Sequence, residues 1–161
     1  MWDEDLFIQR FFKKLDKGFY VDVGAYHPTK VNNTYLLYKR NWRGINIDIS
    51  NFSIDLFNFW RPKDLNFCRA ITNKNGIAKK YYQKDFSLLS TISKEHAKNH
   101  FQGKIKEKKI KCSTLTNLLE NTKYKKRKIV VKKNVGVPPS YCFKILSRKT
   151  RQSPDKFFLI F

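Results

Sequence analysis

The apolar positions along the first half of the chain change their period from segment to segment. From Asp3 to about Asp16, Leu6, Phe7, Phe11, Phe12 and Leu15 recur at steps of three and four, with acids at the start and Lys13, Lys14 and Lys17 at the end. This is the pattern of an amphipathic helix whose charges complement its dipole, with Gly18 placed to end it. Phe19-Tyr20-Val21-Asp22-Val23 is a β-branched and aromatic run closed by Gly24, and it predicts a buried strand. A loop with Pro28 follows, and Asn33 to Arg40 reads as a helix behind a polar N-cap. Ile45-Asn46-Ile47-Asp48-Ile49 alternates and predicts a second strand; Ser50 to Trp60 reads as a helix ended by Pro62, and Leu65 to Ile71 as a third strand. Strands alternating with helices through short connections predict the α/β class, with a mostly parallel sheet and right-handed crossovers.

The signal then weakens. Asn75-Gly76 is a turn, Ile77 to Gln83 an extra strand, Ser93 to Phe101 a short helix, and Lys109 to Cys112 a strand before the helical Thr114 to Glu120. Past Tyr124 the character changes: Lys125-Lys126-Arg127-Lys128 precedes a brief Ile129-Val130-Val131, then Pro138-Pro139, then basic residues up to the apolar Phe157 to Phe161. That last run reads as an unpaired strand, which if exposed would promote aggregation. The expected organisation is a folded unit over residues 1–124 and a basic, divergent tail over 125–161.

Composition narrows the class. With 41% apolar and 16% aromatic residues in 161, the chain is too apolar to be disordered throughout and has the size of one domain. No stretch approaches the roughly 20 apolar residues of a membrane span. Asp3-Glu4-Asp5 is acidic where an export signal would be basic. Cys68, Cys112 and Cys142 are far apart and odd in number, which suggests neither a disulfide framework nor a metal cluster. A reducing cytoplasm is the expected setting. The formal net charge is +21, most of it late: 17 basic against 10 acidic residues up to residue 103, and 17 against 3 from 104 onward. Lysine supplies most of this, and lysine is a hydrated point charge where base recognition more often uses the arginine fork. Runs such as Lys104 to Lys109 therefore read as solvated faces that attract polyanions nonspecifically. Specific nucleic-acid recognition is not expected, and a basic nucleic-acid-binding protein remains the third alternative.

The candidate chemistry sits at the ends of the first two strands. In an open α/β sheet, ligands bind beyond the carboxyl ends, and the first turn needs a residue without a side chain for close backbone approach. Gly24 supplies it. Asp48, 26 residues after Asp22, stands at the tip of the second strand, where a carboxylate can accept both hydroxyls of a ribose. A dinucleotide site wants G-x-G-x-x-G so that a pyrophosphate can rest on a helix N-terminus. Here Gly24 is followed by Ala25, Tyr26 and His27, which disfavours pyrophosphate. S-adenosylmethionine carries an adenosine but no phosphate, and Asp22 would meet its cationic end directly or through water. By spacing alone, an ordinary strand-turn-helix corner remains the alternative.

Other candidates have plainer readings. His27 is placed to line the pocket or brace its loop. His96 and His100 have the spacing of a helical metal pair but no third ligand, so a solvated helix face is favoured and no metal is expected. Cys68 reads as a small buried hydrophobe, and Trp42 and Trp60 as packing anchors.

Gly18-Phe19-Tyr20-Val21-Asp22-Val23-Gly24-Ala25-Tyr26-His27-Pro28, then Asn33-Thr34-Tyr35, then Trp42-Arg43-Gly44-Ile45-Asn46-Ile47-Asp48, then Arg61-Pro62-Lys63-Asp64 resemble the FkbM family of S-adenosylmethionine-dependent methyltransferases. The resemblance covers roughly residues 15 to 122, with Ser113-Thr114-Leu115 and Leu118-Leu119 similar to the segment before the family's fourth core strand. It implies a Rossmann-like methyltransferase fold and methyl transfer to a hydroxyl of a sugar or other small metabolite. It also implies that Asp22, Gly24 and Ala25 line the cofactor's methionine end, that Asp48 takes the ribose, and that the Asn33-Thr34 helix start closes the pocket. Ala70 and Ile71 would lie near the adenine.

The family continues with a strand ending in a D-V-E-G-like motif beside the methyl-transfer centre. Here Lys128 to Gly136 occupies that place with no acid, and later strands are not recognisable. The expectation is a truncated fold whose tail departs from the family, for instance through a shifted reading frame, with no identifiable general base and little turnover. A non-catalytic methyltransferase remnant is thus the second alternative.

Overall fold

The protein's structure, a computed structural model, describes residue 10 and residues 12–84 and 90–124 in full, with the backbone of residues 129–133, 143–144 and 158–160. The helix expected from Asp3 to Asp16 lies largely outside the described residues, as do Cys142, Phe157 and Phe161.

The first strand forms where expected, as β1 (Phe19–Val23), followed by α1 (Tyr35–Lys39), β2 (Arg43–Asp48), α2 (Asn51–Trp60) and β3 (Leu65–Cys68). All three strands are parallel, with Val23 in register with Ile47 and Asp48 with Cys68. The α/β class is therefore observed. Helix α1 starts at Tyr35, two residues later than expected, because the Thr34 hydroxyl does not cap it and donates to Asp22 instead. Ser50 does cap α2, its hydroxyl accepting from the Ser53 N–H at 3.4 Å.

The third expected strand is two strands. After Cys68 the Arg69 N–H donates to the Asp48 carbonyl at 2.9 Å, and the chain then leaves the sheet. Ala70–Ile71 becomes β4 of a second sheet, with β5 (Gly76–Tyr82), β6 (Ser90–Thr91) and, after α3 (Lys94–His100), β7 (Lys106–Ser113), in the order β4-β7-β5-β6. Most of the lysine run thus lies in β7, where residues 106–109 are exposed. Helix α4 (Leu115–Glu120) leads back to β8 (Ile129–Lys133), which pairs in parallel with β1 on the side away from β2. The terminal run is not an unpaired strand. β10 (Phe158–Ile160) lies parallel to β8 and antiparallel to β9 (Phe143–Lys144), completing the order β3-β2-β1-β8-β10-β9.

Strand alternation sends Phe19, Val21, Ile45 and Ile47 to one face, where they pack with Leu118 of α4 and with Tyr124, whose ring stacks on Phe19 at 4.0 Å. Each such fully buried aliphatic side chain contributes roughly 1.5–3 kcal/mol. The opposite face carries Tyr20, which packs with Leu37 of α1, with Phe12 and with the buried Trp42. Two glycines are fixed by this packing rather than by turn geometry. A Cβ at Gly18 would stand 2.3 Å from the Trp42 ring, and one at Gly44 2.3 Å from the Tyr20 ring. Among the described residues no helix is long and apolar enough to cross a membrane.

Candidate functional site

Parallel pairing places the carboxyl ends of β1 and β2 side by side, and the chain after Val23 folds over the end of β2. The N–H groups of Gly24 and Ala25 both donate to the Ile47 carbonyl, at 2.8 and 3.1 Å. Gly24 has φ 74°, the left-handed conformation that a side chain disfavours, and Tyr26 follows at φ 60°. The Tyr26 N–H donates to Asp48 Oδ2 at 2.9 Å, and the Ser50 N–H donates to Oδ1 at 2.8 Å. One carboxylate therefore ties the loop after β1 to the start of α2. Each carboxylate oxygen can accept twice, so each retains capacity for a further donor. Burial pushes the Asp48 carboxyl above the usual range, against the two backbone N–H groups and Lys80, while Asp22 adds to the rise.

Asp22 points the other way, into the protein, and is wholly buried. Its Oδ2 accepts from the Thr34 hydroxyl at 2.9 Å and from the Asn32 amide at 3.2 Å, and the same amide donates to the Ala25 carbonyl at 3.0 Å. Asp22 and the buried Thr34 thus hold the 24–34 loop in shape; Asn33, half-buried, lies between two of its braces. Ala70 directly follows the residue bonded to the Asp48 carbonyl and is buried, whereas Ile71 packs against the apolar core under the sheet. The structure therefore brings Asp22, Gly24, Ala25, Thr34 and Asp48 into one bonded group, places Asn33 and Ala70 at its margin, and turns Ile71 toward the core.

Arg61 is the part of the site that reading the sequence did not assign. It is 1% exposed. Its Nη1 donates to the Thr34 hydroxyl at 2.9 Å and to the Tyr20 hydroxyl at 3.2 Å; its Nη2 donates to Asn32 Oδ1 at 2.9 Å and to the Pro28 carbonyl. The Tyr20 hydroxyl in turn donates to Asp64 Oδ2 at 2.5 Å, and Asp64 also accepts from the Gly44 N–H and the Asn46 amide. Arg61 and Asp64 are thus joined through a tyrosine, forming a buried relay under the loop. Burial raises the Tyr20 hydroxyl well above its ordinary value and raises the Asp64 carboxyl as well. The signal available was Tyr20, Asp22 and Asn46 on inward positions of strands covered on both faces, where polar groups must find partners.

His27 braces the loop: its Nδ1 accepts from the N–H groups of Lys30 at 3.0 Å and Thr29 at 3.2 Å. Burial, Lys30 and Arg61 lower its pKa. His96 and His100 stack at 4.1 Å on the exposed face of α3. Cys68 is half-buried, its thiol donating to Asn51 Oδ1 at 2.6 Å. Trp42 is a packing anchor, but Trp60 is not: it is 55% exposed at the end of α2, edge-to-face with a still more exposed Phe59.

Profiles of protein families, curated proteins and solved structures were compared with the chain, and none matches.

Proposed function

We propose that the chain is an S-adenosylmethionine-dependent methyltransferase of the FkbM type, acting in the cytoplasm on a hydroxyl of a sugar or other small metabolite. The observation that carries this reading is the Asp48 carboxylate at the end of β2, bonded to the loop that Gly24 opens. Strand order adds to it. The chain runs outward from β1 to β2 and β3, then returns to β8 on the other side of β1. In a Rossmann-like sheet the ligand crevice lies at such a reversal.

The residues fit the cofactor in part. Asp48 keeps lone pairs for ribose hydroxyls, and Gly24 and Ala25 let backbone approach the ligand closely. Asp22 and Thr34 serve this site by holding the loop, because both are enclosed. Asn33 would close the pocket over the cofactor, while Ala70 would stand on the adenine side. The bound cofactor supplies an electrophilic methyl group on sulfur, and the protein's task is to align an acceptor oxygen with it and remove that oxygen's proton. No general base is assigned.

A second reading, a non-catalytic remnant that binds cofactor poorly or not at all, is favoured by one observation. Lys132 stands in register with Asp22 and Lys133 with Val23 on β8, where the family motif has acids.

Calorimetric titration with S-adenosylmethionine and S-adenosylhomocysteine tests both. The intact chain is expected to bind, and Asp48→Ala to bind at least about tenfold more weakly. No heat from the folded intact chain, or equal affinity in the variant, overturns the cofactor site. Rates of methyl transfer typical of an enzyme would overturn the remnant reading.

A further inference from the structure

A cavity of about 340 Å³ opens between α1 and the end of α2; Thr29 of the 24–34 loop and Arg61 form part of its wall, and neither Gly24 nor Asp48 lines it. Its volume falls in the range of small-ligand sites, roughly 300–1,000 Å³. Its walls combine three aromatic rings, Tyr35, Tyr38 and Trp60, with three cations, the exposed Lys39 and Lys63 and the half-buried Arg43, whose Nη1 donates to the Trp42 carbonyl at 2.6 Å. None of its lining residues is a carboxylate. The cations already lie against the rings: Arg43 is 5.2 Å from the centre of Tyr38, and Lys39 is 5.8 Å from that of Tyr35. Arg61 forms part of the wall, and its buried Nε has no hydrogen-bond partner among the described residues.

Each feature alone has an ordinary surface explanation. Together they specify a ligand. The exposed Trp60 offers a flat face to a planar ring, and stacking of this kind accepts any base. Cations with no acid among them favour an anion of more than one charge, and the Arg43 fork suits the oxygens of a phosphate.

We infer that this cavity binds a nucleoside phosphate, with its base on Trp60 and its phosphate among Lys39, Arg43 and Lys63. The phosphate ester could come from a free nucleotide or from one residue of a single strand. The site does not depend on the methyltransferase reading.

The test is calorimetric titration of the intact chain with uridine 5′-monophosphate, uridine, inorganic phosphate and short oligothymidylate. The nucleotide is expected to bind at least about tenfold more tightly than uridine or phosphate, since stacking and charge act together. Trp60→Ala and Arg43→Ala are each expected to weaken it about tenfold, and Trp60→Phe to restore most of the affinity. Oligothymidylate that binds more tightly than the nucleotide, through the same two residues, identifies a strand as the source; equal or weaker binding identifies the free nucleotide. Phosphate binding as tightly as the nucleotide, affinity indifferent to Trp60→Ala or to Arg43→Ala, or no nucleotide binding overturns the site.

Discussion

In the β1–β2 pair the polar side chains are inside, and in the β5–β7 pair they are outside. Asp22 stands in register with Asn46, both wholly buried, whereas Lys79 stands opposite Lys109, both exposed. A polar residue on a strand has two meanings here. Parallel strands are covered on both faces, so their polar residues must be bonded to one another. An antiparallel pair can leave one face to water, and like charges across it are tolerated because water screens them. Lys80 links the two regions: it is nearly buried, and its ammonium donates to the Ile49 carbonyl at 2.9 Å, beside Asp48.

The largest effect is expected where the buried network is cut. Arg61→Met removes the donors that hold Pro28, Asn32, Thr34 and Tyr20, and leaves Asp64 with less compensation. Breaking such a buried arrangement costs about 3–5 kcal/mol, read as a fall in the urea midpoint. A loss no larger than that of an exposed lysine would show that the network is not structural, and would erase the contrast between the two sheets. Gly44→Ala is next. Its new methyl would meet the Tyr20 ring at 2.3 Å and the Tyr20 carbonyl at 2.6 Å, so overpacking of about 1–3 kcal/mol is expected by the same measurement.

How much of this was legible follows from the same contrast. β1 could be read as a β-branched and aromatic run closed by Gly24, and β2 by its alternation up to Asp48; parallel pairing sets the two strand ends side by side. The split of the third strand was not legible, because nothing in Leu65 to Ile71 marks the exit at Arg69; the second sheet's pairing with Cys112 and Ser113 decides it. Trp60 was misread as an anchor because a tryptophan ending an amphipathic helix resembles one until the helix is oriented. Arg61 went unassigned because its partners come from Tyr20, Pro28, Asn32 and Thr34, distant positions that only the fold brings together.

Two smaller predictions use pH. The Asp48 carboxyl is raised by burial, so the folded chain binds that proton more readily than the unfolded one. Ionised Asp48 then costs stability above its raised pKa, and the cost fades as pH falls through the interval above the ordinary carboxylate value. Relative to Asp48→Asn, the native chain should gain stability over that interval while its affinity for S-adenosylmethionine falls. A rise in both would show that the ionised carboxylate is not the cofactor's partner. His27 has the opposite sign. Its pKa is lowered, so its contribution is present above the ordinary imidazole value and is lost as pH falls through the lowered one. Protonated Nδ1 cannot accept from Thr29 and Lys30, so the amides of these two residues should exchange faster in mild acid, and His27→Gln should remove that dependence.

The smallest effect belongs to the second sheet. Lys79 and Glu107 form an ion pair at 2.8 Å, with side chains 63% and 44% exposed. Each shifts the other's pKa toward the charged form, Lys79 up and Glu107 down. That geometry resembles the Arg61 contacts in distance but not in surroundings, since water solvates both charges when the pair opens. Screening and side-chain entropy cancel most of the attraction. Lys79→Ala is therefore expected to leave the urea midpoint where it was, at low and at high salt. The substitution also removes one member of the Lys79–Lys109 pair, a relief that works against any loss. A clear destabilisation that vanishes with added salt would show that this face holds its charges as tightly as the buried side does, and that exposure does not separate the two sheets.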